Sequence, residues 1–350
     1  TPSVGYREAY IYDAMGQLTG AALGNNYYFY NYDPTGNLMS VQAAGTTNSY
    51  TYGNSSWVDL LTAYNGQAIA YEGQTVATDG SVSGTPISGN PISYYNGTHW
   101  NFVWKDGRNL TSAIVPANTM STPRVSFSYN AEGIRTGKHT LRNGATETHS
   151  YIYASGKLLR DTVESGGSTK ILDFRYDQSG APYSLTYTVG STSTVYYYVT
   201  NLQGDVMYLA DSSGSQVAAY LYDPYGKVLS SSGTMAEINP LRYRGYYQDS
   251  ETGFYYLQSR YYDPAICRFI NADSYASTGQ GLIGYNAFAY CLNSPITSVD
   301  PLGLWTISIS VAASGMFGLG IALSFGFAFD SRGNVDWQYS YSIPGVDDTA

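Results

Sequence analysis

A chain of 350 residues is long enough for roughly two domains. It carries 38 Tyr and 38 Gly beside only 12% charged residues. That mixture favours strands and turns over helices. A net charge of -9 excludes a nucleic-acid backbone as partner of the bulk of the chain, because neutralising phosphates needs clustered Lys and Arg. Cys267 and Cys291 cannot make a disulfide framework, and His99, His139 and His149 lack metal-ligand spacing, so neither a metal nor another cofactor is expected.

The first residues, Thr1-Pro-Ser-Val-Gly5, show no basic or apolar leader. A repeat begins almost at once, and the chain reads as an excerpt of a longer protein. Tyr10-Ile-Tyr12-Asp13-Ala-Met-Gly16-Gln-Leu18 recurs as Tyr30-Asn-Tyr32-Asp33-Pro-Thr-Gly36-Asn-Leu38 and as Tyr220-Leu-Tyr222-Asp223-Pro-Tyr-Gly226-Lys-Val228. Looser copies lie at 127–133, 151–158, 174–180 and 198–206. Each copy predicts a hairpin: alternating aromatics share one strand face, Asp or Asn with Gly three residues on makes the turn, and an apolar residue starts the return strand. One hairpin is marginal in water, so the copies should pair edge to edge into one long, curling, all-β sheet. Its tyrosines are expected to form inward cross-strand ladders around a wet interior rather than sugar-stacking platforms. The repeat is interrupted from Gly66 to Trp104.

From Leu241 the repetition stops. A unique block reads Leu241-Arg-Tyr-Arg-Gly245, then Arg260-Tyr-Tyr-Asp263-Pro264-Ala-Ile-Cys-Arg268-Phe269-Ile-Asn-Ala-Asp273, and closes on Pro295-Ile-Thr-Ser-Val-Asp300-Pro301-Leu302-Gly303-Leu304. The Tyr-Asp repeats of residues 6–304 resemble the YD-repeat or RHS-repeat proteins. The block is similar to their repeat-associated core domain, and its last ten residues match the family's terminal motif. This resemblance implies a hollow β shell over residues 1–240, a plug over 241–304, and a variable cargo domain from 305 to 350. It also implies that the chain cuts itself between Leu304 and Trp305, with Asp263 and Asp273 as the carboxylates of an intramolecular aspartyl protease and Arg260 as their basic companion. Toxin-complex subunits, polymorphic bacterial toxins and teneurins are the family's members. The partners implied are the chain's own cargo, an immunity protein or delivery machinery, at a secreted or cell-surface location.

Residue chemistry permits that reading without requiring it. Two neighbouring carboxylates cannot both ionise easily, so one can donate a proton while the other activates water. Yet Asp263-Pro264 also looks like the repeat turns Asp33-Pro34 and Asp223-Pro224, and Asp273 in Asn-Ala-Asp-Ser suits an Asx turn or a helix N-cap. Arg268 is either a support for the acids or a structural arginine with five donors to satisfy. Both cysteines read as small apolar fillers. A surface adhesion or carbohydrate-binding protein without protease activity is the competing class.

Beyond Leu304, apolar Leu319, Ile321, Leu323, Phe325, Phe327 and Phe329 alternate with small residues, a strand period. Asp330 to Asn334 should turn the chain, and Trp337, Tyr339 and Tyr341 alternate on a return strand. The uncharged run 305–329 is long enough to raise a membrane helix, but its alternation and glycines argue for a hairpin, in the cargo or transiently in a membrane. Nothing after Leu304 names a cargo activity.

Overall fold

The computed structural model describes residues 8–116, 124–142, 144–274, 283–304, 306–308, 322–329 and 335–342. Among them the architecture is almost wholly antiparallel β. A seven-stranded sheet runs in chain order from Glu8–Tyr12 to Gln67–Ala68. A fourteen-stranded sheet starts at Ala70–Tyr71, resumes at Pro91–Tyr95 and meanders to Val228–Ser232. The expectation of one continuous sheet therefore gives way to two. They part where the Tyr-Asp period fails and the strands shrink to two or three residues, too short to hold a ladder; there the chain branches into a side hairpin of Gln74–Val76 with Val82–Gly84.

The repeat turn explains why copies of one short motif fold alike. At Asp33 the carboxylate Oδ1 accepts the amides of Thr35 and Asn37, at 2.8 and 2.9 Å. The Gly36 amide donates to the Asp33 carbonyl at 3.0 Å, with Gly36 at φ 84°. Positive φ is cheap only for glycine, which fixes its place three residues after the acid. Asp13, Asp177, Asp211, Asp223, Asn130 and Asn201 use the same two side-chain bonds to amides two and four residues on. Each hairpin also slips by one residue beside the turn, as where Tyr32 pairs Leu38, and such bulges increase twist.

Tyrosines at or beside the ends of strands are locked across strands. Tyr32 donates its hydroxyl to the Leu18 carbonyl, Tyr52 to Leu38, Tyr129 to Leu110, Tyr176 to Leu158 and Tyr222 to Val206, all between 2.7 and 3.0 Å. The acceptor is the first or second residue of a strand in an earlier hairpin, so these hairpins fasten to ones before them.

Residues 241–304 form no repeat. Four short strands, Tyr247–Gln248, Tyr255–Tyr256, Tyr261–Asp263 and Arg268–Phe269, make a small sheet with irregular connections. Tyr243, Phe254, Tyr255, Tyr262, Phe269, Phe288 and Tyr290 are each at most 2% exposed. This block lies against both large sheets: Tyr50 reaches the Ile266 carbonyl, Tyr94 reaches Asp263, Tyr151 donates to Tyr247, and Asn293 bonds Gln17 and the Gly36 carbonyl. At these points the inward tyrosines meet protein rather than the wet interior expected. Ala322–Phe329 pairs with Val335–Ser342 in the register of a hairpin, as the alternation suggests, and the turn read at Asp330 to Asn334 lies outside the described residues. No helix among the described residues is long and apolar enough to cross a membrane.

Candidate functional site

The terminal motif shares two features of the repeat turn. In Asp300-Pro301-Leu302-Gly303-Leu304 the Asp300 carboxylate accepts the amide four residues on, that of Leu304, at 3.0 Å through Oδ1. Gly303 sits at φ 71°, three residues after the acid, as Gly36 does after Asp33. Here, however, the acid itself is buried, with Asp300 1% exposed, whereas Asp33 and Asp223 are half-buried. Tyr246 closes it from one side, donating to the Asp300 carbonyl at 2.9 Å.

Ser259 and Arg260 clasp it from the other. Ser259 Oγ lies 2.6 Å from both the Leu302 and the Gly303 carbonyls, and its amide donates to Leu302 at 3.2 Å. Arg260 donates from Nε to the Gly303 carbonyl at 2.5 Å, from one terminal nitrogen to the Ala287 carbonyl at 3.0 Å, and presents the other to two carboxylates. Asp273 stands 2.9 Å from that nitrogen and Asp300 3.4 Å. The three side chains are 5, 6 and 2% exposed. The Phe269 ring stacks on the guanidinium, its centroid 3.5 Å from the central carbon. Burial pushes the Arg260 pKa below its ordinary value, opposed by the charges of Asp273 and Asp300. A single cation thus faces two buried acids and the backbone that leads to Leu304.

Asp263 takes a different position from its expected partners. Arg260 immediately precedes the strand Tyr261–Asp263 and Asp263 ends it, about 10 Å away at 3.3 Å per residue. The hairpin pairs Asp263 with Arg268 at its tip, whereas Asp273 lies beyond its open end beside Arg260. At the tip the Asp263 carboxylate accepts the Ala265 amide, the Tyr94 hydroxyl and the Asn96 side chain, at 2.7 to 2.9 Å. Burial raises its pKa to about 6, although these hydrogen bonds favour the anion. The acid that joins Asp273 on Arg260 is Asp300, which in the sequence belongs to the cleavage motif and stands out with Arg260, Asp263, Arg268 and Asp273 among few other charges.

Arg268 turns to the seven-stranded sheet, donating to the Tyr52 hydroxyl at 2.7 Å and the Asp59 carbonyl at 2.8 Å, the structural alternative of its two readings. Pro295 offers its carbonyl to Arg244. Pro301 is exposed and Leu304 half-buried, while Trp305 lies outside the described residues. Ser259 was not singled out in the sequence, since one serine among many carries no signal. Asp300 had one: Asp with Gly three residues on, the repeat's own turn pattern. Cys267 and Cys291 are buried free thiols with pKa values pushed up by burial, which keeps them protonated and poor nucleophiles. No cluster of three or more His, Cys, Asp or Glu suited to a metal occurs among the described residues.

A teneurin YD-shell family profile matches residues 2–283. The tRNA3(Ser)-specific nuclease WapA of Bacillus spizizenii is 30% identical over 279 residues, covering 79% of this chain and 11% of the relative. Toxin subunit YenC1 of Yersinia entomophaga is 26% identical over 344 residues, covering 84% of this chain and 33% of that one. The chain therefore spans a third or less of the length of these relatives. A crystal structure of TcdB2-TccC3-Cdc42 superposes with a TM-score of 0.65 at 21% identity, over 85% of this chain and 15% of that one, a likeness of fold. Repeat turns, tyrosine ladder and family match agree, and the chain belongs to the teneurin YD-shell family.

Proposed function

We propose that residues 1–240 and 241–304 act as shell and plug of a toxin carrier that cuts its own chain after Leu304, freeing the polypeptide that follows. The observation that carries this reading is the Arg260 cluster, in which one buried guanidinium meets Asp273, Asp300 and the Gly303 carbonyl. Arg260 gathers the two carboxylates at the backbone that leads to Leu304, where one can serve as base and the other as proton donor. One carboxylate takes a proton from water as the oxygen adds to the Leu304 carbonyl carbon. The other gives its proton to the carbonyl oxygen. The tetrahedral adduct then collapses, the bond to the Trp305 nitrogen breaks, and that nitrogen leaves protonated as an amine. Ser259 and Arg260 contribute by holding the preceding carbonyls, so the strand enters the site in one geometry. Arg268, on this reading, braces the plug against the sheet, and Asp263 holds the hairpin tip.

The relatives' names support a harmful cargo, since they include a nuclease and a toxin subunit. Release at the cell surface or after secretion, with a cognate immunity protein protecting the producer, follows from the same reading. Intact-mass analysis of the full-length protein tests it. The expected products are a piece ending at Leu304 and a piece beginning at Trp305, and an Asp273→Asn chain of one mass. A wild-type chain that stays whole through prolonged incubation overturns the proposal.

A further inference from the structure

Residues of the shell hold the Arg260 cluster from outside, and one buried acid among them has no part in the chemistry described above. The connection between Thr46–Thr51 and Ala63–Tyr64 of the seven-stranded sheet runs through Asp59, which is 8% exposed. Its carboxylate Oδ2 accepts the Ala287 amide of the block at 2.7 Å. The loop around Asp59 is itself fixed. Asn54 Oδ1 takes the amides of Ser56 and Trp57 at 2.9 and 3.1 Å, Asn37 donates to the Val58 carbonyl at 3.1 Å, and Arg268 donates to that of Asp59 at 2.8 Å.

Ala287 is where the shell meets the cluster. Its carbonyl accepts the Asp273 amide at 2.9 Å and the Arg260 guanidinium at 3.0 Å, so one oxygen sets the acid and the cation against each other. The residues on either side are bound to the seven-stranded sheet as well: Asn286 donates to the Asn37 side chain at 2.9 Å, and the Phe288 and Trp57 ring centroids lie 6.1 Å apart. Segment 286–288 thus takes its place from that sheet on one side and passes it to Asp273 and Arg260 on the other. The residue before Asp273 is placed from the entry to the other sheet. There the Ala272 amide donates to the Gly89 carbonyl at 3.3 Å, and the approach is so close that a Cβ on Gly89 would fall 2.3 Å from that of Ala272. Both contacts come from the irregular stretch around the break between the two sheets.

We propose that Asp59 is a positioning residue for the cutting reaction, and that the site is complete only when the seven-stranded sheet is docked on the block; this rests on the self-cutting reading above. The bond from Ala287 spans 228 positions, so it exists only in the closed fold. A carboxylate holds a backbone N–H more firmly than a neutral acceptor does, and removing it leaves that amide without its partner. Asp59 accepts this one hydrogen bond and exchanges no proton in the reaction. A chain whose first hairpins have not docked lacks the hold on Asp273 and Arg260 and stays uncut, which ties release to a closed shell.

Intact-mass time courses on the full-length protein test this, with each rate taken well below the variant's Tm. There, lost stability alone leaves the folded fraction, and so the rate, unchanged. Asp59→Ala should cut more slowly by roughly 10²-fold, the order expected when reacting groups shift by about 1 Å. Asp59→Asn, whose amide oxygen can still accept the Ala287 N–H, should recover most of the wild-type rate with the wild-type pH profile. An Asp59→Asn chain as slow as Asp59→Ala overturns the inference, because the carboxylate then acts by its charge or its proton. Should Asp59→Ala fail to fold, Asn286→Asp decides: it keeps the oxygen that accepts the Phe288 amide at 3.1 Å but loses the donor to Asn37, and a wild-type rate there refutes the placing of the segment by the sheet. A wild-type chain that never cuts removes both this inference and the reading under it, whereas a cutting wild type with an equally fast Asp59→Ala removes this inference alone.

Discussion

Asp300 binds the amide of Leu304 through one carboxylate oxygen, at 3.0 Å, while the other faces Arg260 at 3.4 Å. A pattern that shapes hairpins elsewhere in this chain is here attached to a buried cation and a second acid. Chemistry, on the reading proposed above, is thus built by adding Arg260 and Asp273 to a piece of the repeat.

Asp300→Asn separates the turn from the charge, because the amide oxygen can still accept from Leu304 but cannot exchange protons. Loss of a general acid or base typically slows a reaction by roughly 10²–10⁴-fold. The expected outcome is a chain that stays whole over times in which wild type is fully cut, measured by intact mass at intervals. Arg260→Lys should also slow cutting, since an ammonium cannot reproduce the fork that reaches the Gly303 carbonyl and the acids together.

Asp263→Asn should leave cutting within a small factor of wild type, because that carboxylate sits at the hairpin tip. Its effect belongs to stability and pH. Burial raises the folded-state pKa to about 6 from an unfolded value near 3.9, so the group favours the fold when protonated, and that contribution is lost as pH rises from about 4 to 6. The variant has no such titration. Its Tm relative to wild type should therefore climb across that interval and level off above it, by the equivalent of at most about 3 kcal/mol. Parallel thermal melts from pH 4 to pH 8 check it, and a flat difference refutes it.

The hairpins and their turns were legible because each is closed by residues within five of one another: Asp33 with Asn37, Asp223 with Lys227. The plug was legible as a unique block and as a family signature, but not as an arrangement. Asn293 meets Gln17 across 276 positions, and no local pattern announces such a pair. The pairing of acids failed for a nearer reason. Asp263 and Asp273 look equivalent along the chain, yet a tight turn at 264–267 sends one to the tip and the other past the mouth of the same hairpin. Reading Pro264 as a turn residue, the alternative the repeats offered, already contained that geometry.

Gly226→Ala tests whether the repeat turn also docks the plug. Gly226 sits at φ 87°, and an added Cβ would fall 2.4 Å from the Tyr243 ring, which is itself 2% exposed. Backbone strain and overpacking each cost about 1–3 kcal/mol. A large loss of Tm is expected, whereas Gly16→Ala, with nothing within 4 Å of the new atom, should show only the strain.

Asp249→Asn should be about as damaging as Gly226→Ala. Arg135 is fully buried inside the rings of Phe127, Tyr151, Tyr247, Tyr256 and Tyr261, and its carboxylate partner is Asp249 at 2.6 Å, which also takes Lys138 at 3.2 Å. Burial works against the Asp249 charge, but Arg135 and Lys138 outweigh it and hold the carboxyl below the usual range. Removing one partner leaves an uncompensated buried cation, at a cost of about 3–5 kcal/mol. Since the folded pKa is depressed, the carboxylate's contribution is present above about pH 4 and disappears as pH falls through the folded value. The Tm gap between wild type and Asp249→Asn should accordingly be wide at pH 7 and narrow in acid. Arg135 belongs to the sheet and Asp249 to the block, so the same variant should expose the seam to protease near residue 249 before the sheets themselves are cut.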